Sequence, residues 1–526
     1  MKLAVKEYTN RSLSYFLLTF LSALTIVALI CIFGNIQFGG NDFGVLIDSS
    51  YRLFYGYHPY IDFPTTQPIL FYLGGLWALQ IFGLHWSSFV YINALYSFLT
   101  FLVQFIILKR IGISFWWNLA LTISIQLAAM FVSSTWWYNP ITCVAVSLLC
   151  MASILVLTRS NSIVNWCLYC GCLFLASLTK PNMAGIAIMA CALALFIKKE
   201  TRWKSIVSAS IAFNLFAILI AIYHISLYDL LTYYLGGAER GIPTLSRLYQ
   251  DFENPLVIIW ALALIPITLI PLVSQFLYCI ISKKWPGYDL SFYIIVIGCC
   301  LAGIYGCFTN GESTITEVPI IITPVALFCL LKNVEWTNSA FLKYFNPIFL
   351  QVLVLTITIS TAITYGVTRY RIKLIGIGSF YEDSELKLIG SQNQFFASLR
   401  SGPILNEILH EITEVINRFE ESKFIKPTIL FGPRMNWGYA AFNLIPPPKN
   451  FPYSWWPGVD YPSSFLPVIV NSFSKNMPDM CIFLKSNGIV DLPYMPKEIT
   501  ILVENNYHPV FNFNNMVVFL RNDIAL

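Results

Sequence analysis

Charge is what this sequence most lacks. Only 11% of its 526 residues are Asp, Glu, Lys or Arg, against about 25% in a soluble domain. That shortage speaks against an ordinary cytosolic enzyme and against a disordered chain. Cysteine is present but in the wrong places for a disulfide scaffold. Twelve of the thirteen cysteines, from Cys31 to Cys329, fall inside apolar runs, where a thiol acts as a small hydrophobe. Only Cys481 lies in the polar C-terminal third, so that third has no internal disulfide. Cys167 and Cys170 spell C-x-x-C, but mid-run and with no histidine nearby, which is poor ground for redox or metal chemistry. No D-x-D occurs, which argues against a metal-dependent nucleotide-sugar site. The P-loop, G-x-G-x-x-G, G-x-S-x-G and H-E-x-x-H are missing too, against an ATP-driven pump, a lipase-like hydrolase and a zinc protease. The net charge of +5 is small and scattered, with no basic stripe for nucleic acid.

What is present is hydrophobicity: 57% of the chain. Charge-free apolar runs stand at 12–33, 68–83, 88–108, 114–133, 140–158, 163–179, 183–197, 205–223, 256–281, 290–308, 318–331 and 346–366. About 20 residues cross a bilayer core of about 30 Å, so the class is a polytopic α-helical membrane protein. The run 12–33 is too long for a signal-peptide core and reads as a retained anchor. The run 68–83 is the doubtful span. If it lies along the membrane, fourteen basic residues before 367 fall inside and four outside: Arg52, Lys180, Arg240 and Arg247. If it crosses, six fall inside and twelve outside. The positive-inside rule selects the first topology, with about 11 spans and the region 367–526 outside.

This topology gathers carboxylates on the exoplasmic face: Asp42, Asp48, Asp62, Asp229, Glu239, Asp251, Glu253, Glu312 and Glu317. The spans carry no Asp, Glu, Lys or Arg. Ion-coupled carriers generally need ionisable groups at membrane depth, so this counts against one. The expected domains are a membrane domain over 1–366, with a first exoplasmic loop at 34–87, and an outer α/β domain over 367–526. In the latter, Leu405–Phe419 has helical apolar spacing, and Thr428–Phe431, Met480–Leu484 and Ile499–Val503 read as short strands. Met516–Leu520 follows an Asn-Asn turn signal and should complete a hairpin.

The first loop holds the most chemistry. Phe43, Leu46, Ile47, Tyr51 and Phe54 line one face of an amphipathic helix, which the pattern places at the membrane interface and Gly56 ends. Asn41 or Asp42 is its natural N-cap. The helix dipole keeps a carboxylate there ionised, a suitable general base, though capping alone also explains it. Asp48 falls on the polar side and should be solvated.

Further along come Gly56-Tyr-His-Pro-Tyr-Ile-Asp-Phe63, Gln67-Pro-Ile-Leu-Phe-Tyr72 and Leu178-Thr-Lys-Pro-Asn182. With the acid in Gly39-Gly-Asn-Asp-Phe-Gly44 and the outer C-terminal domain, this order resembles the GT-C superfamily of membrane glycosyltransferases. Its members include the dolichyl-phosphate-mannose protein mannosyltransferases and the aminoarabinose lipid A transferases. The sequence departs from that pattern in two places. Phe43 follows Asp42 where many relatives have an Asp-Glu pair, and Asn139 stands where many carry a second acid.

The resemblance implies an inverting transferase that moves a sugar from a polyprenyl-phosphate carrier to an exoplasmic lipid, polysaccharide or protein acceptor. No cofactor is expected, since the lipid-linked sugar is itself the substrate, and the two departures weaken any case for an acid-bound metal, so no metal ligand is assigned. Asp42 is then the first choice for the base. Asp62 binds acceptor or sugar hydroxyls or shares that role. Lys180 and Arg240 hold the donor phosphate, with Glu239, Arg52, His58 and Glu312 as further candidates for substrate contact. Each has a bland alternative: Lys180 as a snorkelling anchor, and Gly236–Gly241 and Asn310–Glu317 as solvated turns. Trp136-Trp137-Tyr138 suits an interfacial belt better than a sugar platform. The expected setting is a bacterial plasma membrane, with the site on the periplasmic or extracellular side. Rival readings are a lipid-linked glycan flippase and an oligosaccharide polymerase or ligase.

Overall fold

The computed structural model describes residues 2–36, 41–63, 65, 67–228, 230–231, 290–310, 320–326, 351–360, 363, 386–433, 435–447, 463–486, 489–490 and 495–525. They form two compact units. One draws on Met1–Ile30, Asn93–Ile218 and Ile242–Thr368, the other on Cys31–Ile92, Leu219–Gly241 and Arg369–Leu526. The second unit therefore takes in the first loop together with the C-terminal region.

The apolar runs become helices: α1 (Lys2–Gly34), α2 (Asn41–Phe54), α3 (Ile69–Phe82), α4 (Ser87–Ile111), α5 (Phe115–Val132), α6 (Tyr138–Thr158), α7 (Ile163–Ser177), α8 (Pro181–Ile197), α9 (Lys199–Ile222) and α10 (Leu290–Asn310). Five of these, α1, α4, α5, α6 and α9, are long and apolar enough to cross a bilayer; α3, α7, α8 and α10 carry shorter apolar stretches. The run 256–281 lies outside the described residues.

In the first unit α6 is the axis. Every residue from Asn139 to Leu157 is buried, and α5, α7, α8 and α10 pack on it. Among the described helices, α8 and α10 pack together most extensively. Gly298 permits it: a Cβ there would collide with the Cβ of Ala190, the small-residue contact that lets apolar helices approach. Several polar side chains inside the bundle find protein partners, the supply that matters where water is excluded. Asn118 Nδ2 donates to the Phe105 carbonyl at 2.9 Å, and Gln126 Nε2 reaches Thr100 Oγ1 at 3.3 Å. The Thr323 and Thr358 hydroxyls bond at 2.6 Å.

The second unit is mixed α and β. After a short hairpin, β1 (Lys387–Leu388) and β2 (Arg400–Ser401), come α11 (Pro403–Lys423), β3 (Ile429–Phe431), α12 (Gly438–Ala441), α13 (Leu466–Lys475), β4 (Met480–Ser486), β5 (Ile489–Val490), α14 (Lys497–Asn506), β6 (Tyr507–Asn512) and β7 (Met516–Arg521). The main sheet runs β3-β4-β7-β6, with β3 parallel to β4 and the other neighbours antiparallel; β5 pairs with β4. Pro403 opens α11 at a first-turn position that suits its fixed φ. Its buried stripe is Leu405, Ile408, Leu409, Ile412, Val415, Ile416 and Phe419, as the helical spacing requires. The expected hairpin at Met516–Leu520 forms, paired with β6.

Two expectations are corrected here. Ile499–Val503 is not a strand but lies within α14. Ile499 and Val503, four apart, are the residues that helix buries, and Glu498 sits in its first turn, where the dipole favours it. Local helical spacing overrides β propensity in so short a run. The second correction concerns α2. Every residue from Phe43 to Leu53 is buried, the polar side included. Helices α3 and α12 cover it, and a Cβ at Gly44 would already touch the Trp437 ring. An aromatic chain fastens this region: Phe43 on Trp86, Trp86 on Phe396, and Phe396 on Trp437, with centroids 5.5–6.2 Å apart. Trp86 Nε1 donates to the Gly34 carbonyl at 3.0 Å, and the Arg400 amide to the Asn35 carbonyl at 2.9 Å.

On α11, Glu411 is half-buried between Glu407 and Glu414. Desolvation first, then these neighbours, push its carboxyl up to about 7 against the pull of Lys485. A raised carboxyl penalises the folded state once ionised, so the penalty is absent below the ordinary carboxylate range and complete above pH ~7. Glu411→Gln should therefore raise the melting temperature of the full chain at about pH 8.5 and change it little at about pH 4.5. An equal gain at both would show that ionisation of this carboxyl is not the strained element.

Candidate active site

The site is built from the second unit outwards. The segment after α2 folds back on itself. The Arg52 carbonyl accepts the amides of Tyr55 and Tyr57 at 3.1 and 3.0 Å, which ends the helix. Next comes a closed turn over His58–Asp62. The His58 amide donates to Asp62 Oδ2 at 2.7 Å, and the Asp62 amide donates to the His58 carbonyl at 2.9 Å. Tyr60 takes a left-handed φ of +67°, a costly conformation for a bulky residue. It is held there by its amide bond to the Phe63 carbonyl at 2.8 Å and by burial of Tyr60 and Phe63. Ile61 is exposed and Asp62 half-buried, so the turn plugs two rings inward and carries its carboxylate at the rim.

Behind the turn stands an ion pair that sequence reasoning misread. Asp48 and Arg52 are each 1% exposed, and Arg52 Nε reaches both Asp48 oxygens at 3.1 Å. Burial drives the Asp48 carboxyl up to about 6, outweighing the attraction of the guanidinium. Asp48 is thus a buried partner and not a solvated residue. Arg52 is committed to it and is not an open phosphate ligand. The guanidinium also lies near the Phe63 and Tyr439 rings, 5.9 and 5.8 Å from their centroids. The i, i+4 order of acid before base was the available signal for this pair. Its burial was not legible, because Tyr439 lies hundreds of residues away.

Segment 439–446 completes the surroundings. Tyr51 Oη donates to Asn443 Oδ1 at 3.1 Å, and Tyr57 Oη to the Pro446 carbonyl at 3.3 Å. His58 is also a turn member: its ring meets His224 edge-on at 5.1 Å.

The other candidates divide as follows. Asp42 is the second residue of α2, and its side chain lies outside the described residues, as do Glu239, Arg240 and Glu312. Lys180 belongs to the first unit, just before Pro181 opens α8. Its Nζ stands 3.5 Å from Asn139 Oδ1 and 5.0 Å from the Tyr138 ring centroid, and its amide donates to Thr142 Oγ1 at 3.2 Å. The structure thus joins Lys180 to Asn139, the residue that stands where relatives carry an acid. The Tyr138 ring is in turn tilted against that of Trp137, with centroids 4.4 Å apart.

No family model matches the sequence, and no curated protein matches it. Among solved structures, the chain is similar to ArnT from Cupriavidus metallidurans bound to undecaprenyl phosphate. The identity is 11%, the TM-score 0.47, and the match covers 96% of this chain and 98% of that one.

The turn makes Asp62 testable apart from any chemistry. Asp62→Asn keeps a side-chain oxygen for the His58 amide, so the turn should persist. Asp62→Ala removes the acceptor and should cost about 1 kcal/mol and speed proteolysis across 55–68. Equal stability of the two variants would show that this bond does not hold the turn.

Proposed function

We propose that this chain is an integral membrane glycosyltransferase that moves one sugar from a polyprenyl-phosphate carrier to an exoplasmic acceptor. The observation that carries this reading is the Asp62 turn. A carboxylate stands at the rim of a turn whose two inward rings and flanking helix are buried, in the stretch that resembles the GT-C loop motif. A reacting group gains most when its support is rigid and already oriented.

In the proposed reaction the acceptor hydroxyl attacks the anomeric carbon. The new C–O bond forms as the bond from that carbon to the phosphate oxygen breaks. The hydroxyl proton passes to a carboxylate, assigned to Asp42 or Asp62, and polyprenyl phosphate leaves with its electron pair. Single in-line attack inverts the anomeric centre. The leaving phosphate ester calls for a fixed cation more than for a general acid. Lys180 is the proposed cation, supported by its place at the head of α8 and by the polar contact with Asn139. Arg240, Glu239 and Glu312 keep their donor or acceptor roles as proposals from the resemblance. An exoplasmic site in a bacterial plasma membrane and about 11 spans belong to the same reading.

The test is mass spectrometry of envelope glycans and polyprenyl-phosphate lipids. The strains carry wild type, a deletion, Asp62→Asn or Asp42→Asn. The expected result is loss of one defined sugar in the deletion and in at least one Asn variant, with its monophosphate carrier accumulating. Unchanged glycans in the deletion strain would sink the transferase reading and favour transport. A diphosphate-linked oligosaccharide accumulating instead would favour a polymerase or ligase.

Lys180→Gln is a second check. As a phosphate ligand, Lys180 should show a donor KM raised about tenfold, equivalent to about 1.4 kcal/mol, in a chain that melts like wild type. An unchanged KM with lowered membrane insertion would make it an anchor.

A further inference from the structure

Arg52 is as deeply buried as its partner Asp48 beside the proposed catalytic turn, and neither its charge nor its shape is explained by the ion pair alone. The pair uses one N–H: Nε is shared between the two Asp48 oxygens at 3.1 Å. Nη2 is buried and has no hydrogen-bond partner among the described residues. For stability alone this is a poor arrangement, since apolar residues of similar volume do as well as a buried ion pair or better. What the guanidinium does have is position. It lies 5.9 Å from the centroid of Phe63, where the Asp62 turn closes, and 5.8 Å from that of Tyr439 at the head of the C-terminal segment. The same residue's carbonyl collects the amides of Tyr55 and Tyr57, the approach to the turn.

We propose that Arg52, aimed by Asp48, is a positioning residue: its guanidinium wedges between Phe63 and Tyr439 and thereby fixes the Asp62 turn. A planar cation serves here as a flat spacer that attracts both aromatic groups and that Asp48 orients. The catalytic consequence rests on the transferase reading above; the structural consequence does not. Arg52 touches no substrate in this scheme and acts only through the turn.

The experiment uses the full chain in nanodiscs and reads hydrogen exchange over peptides covering 57–63, whose amides at Tyr57, His58, Tyr60 and Asp62 close the turn. Single loss of either charge leaves its partner buried and alone, so the informative variants are Arg52→Lys and the neutral double variant Asp48→Asn/Arg52→Met. Both should exchange at least about tenfold faster over 57–63, with α3 and α11 protected as in wild type. Wild-type protection over 57–63 in the folded double variant overturns the proposal, because the pair would then be structural filler. Wild-type protection in Arg52→Lys also overturns it, because charge without the planar group would suffice.

A transfer assay adds a second readout, with the donor identified by the strain comparison. Positioning predicts kcat lowered about tenfold or more with donor KM within about twofold. A raised donor KM at unchanged kcat returns Arg52 to phosphate binding and overturns the proposal. If the wild type transfers no sugar, the transferase reading fails and the exchange data alone decide the role of Arg52.

Discussion

The second unit depends on one expensive interaction, the Asp48–Arg52 pair under the first loop. Taking both charges out of water costs several kcal/mol per ion even after relaxation. The raised Asp48 carboxyl shows that attraction to the guanidinium does not recover all of it. The surrounding packing must supply the rest. It comes from α2 burying its apolar face, from Gly44 against Trp437, and from the run of rings Phe43, Trp86, Phe396 and Trp437. Apolar packing encloses α2 and the pair with it, and in the proposal above the pair in turn positions the Asp62 turn.

The first unit solves the opposite problem. In a bilayer the apolar faces have no water to flee, so helix contact rests on close fit and on polar groups that find one another. Gly298 against Ala190 is the first device, and Asn118, Gln126 and the Thr323–Thr358 pair are the second. Lys180, just before α8, brings a cation to this unit and holds it against the Asn139 amide and the Tyr138 ring.

What could be read from the sequence follows the range of the forces involved. The α11 stripe was legible because its period is local. The His58–Asp62 spacing belonged to a resembling motif, and its closing bonds span only four residues. The burial of Asp48 was missed because polar residues on one helix face normally mean solvent. Here the cover arrives from Tyr439 and Trp437, far along the chain, and no local pattern announces it. Ile499–Val503 failed for a smaller reason: a β-branched run of five residues is shorter than the propensity needs to outweigh burial of two residues four apart.

The reading of a separate outer domain also changes in kind. Cut by composition, the chain divides at 366, and the C-terminal part looks like a separate appendage. Grouped by packing, the same residues share a unit with 31–92. Arg400 bonds the Asn35 carbonyl, Asn443 receives the Tyr51 hydroxyl, and Tyr439 faces Arg52. Removal of the C-terminal part would take α12 from α2 and Tyr439 from Arg52 while α3 stays in place. Truncation therefore tests the packing beneath the Asp62 turn as well as any part the C-terminal region plays in the reaction.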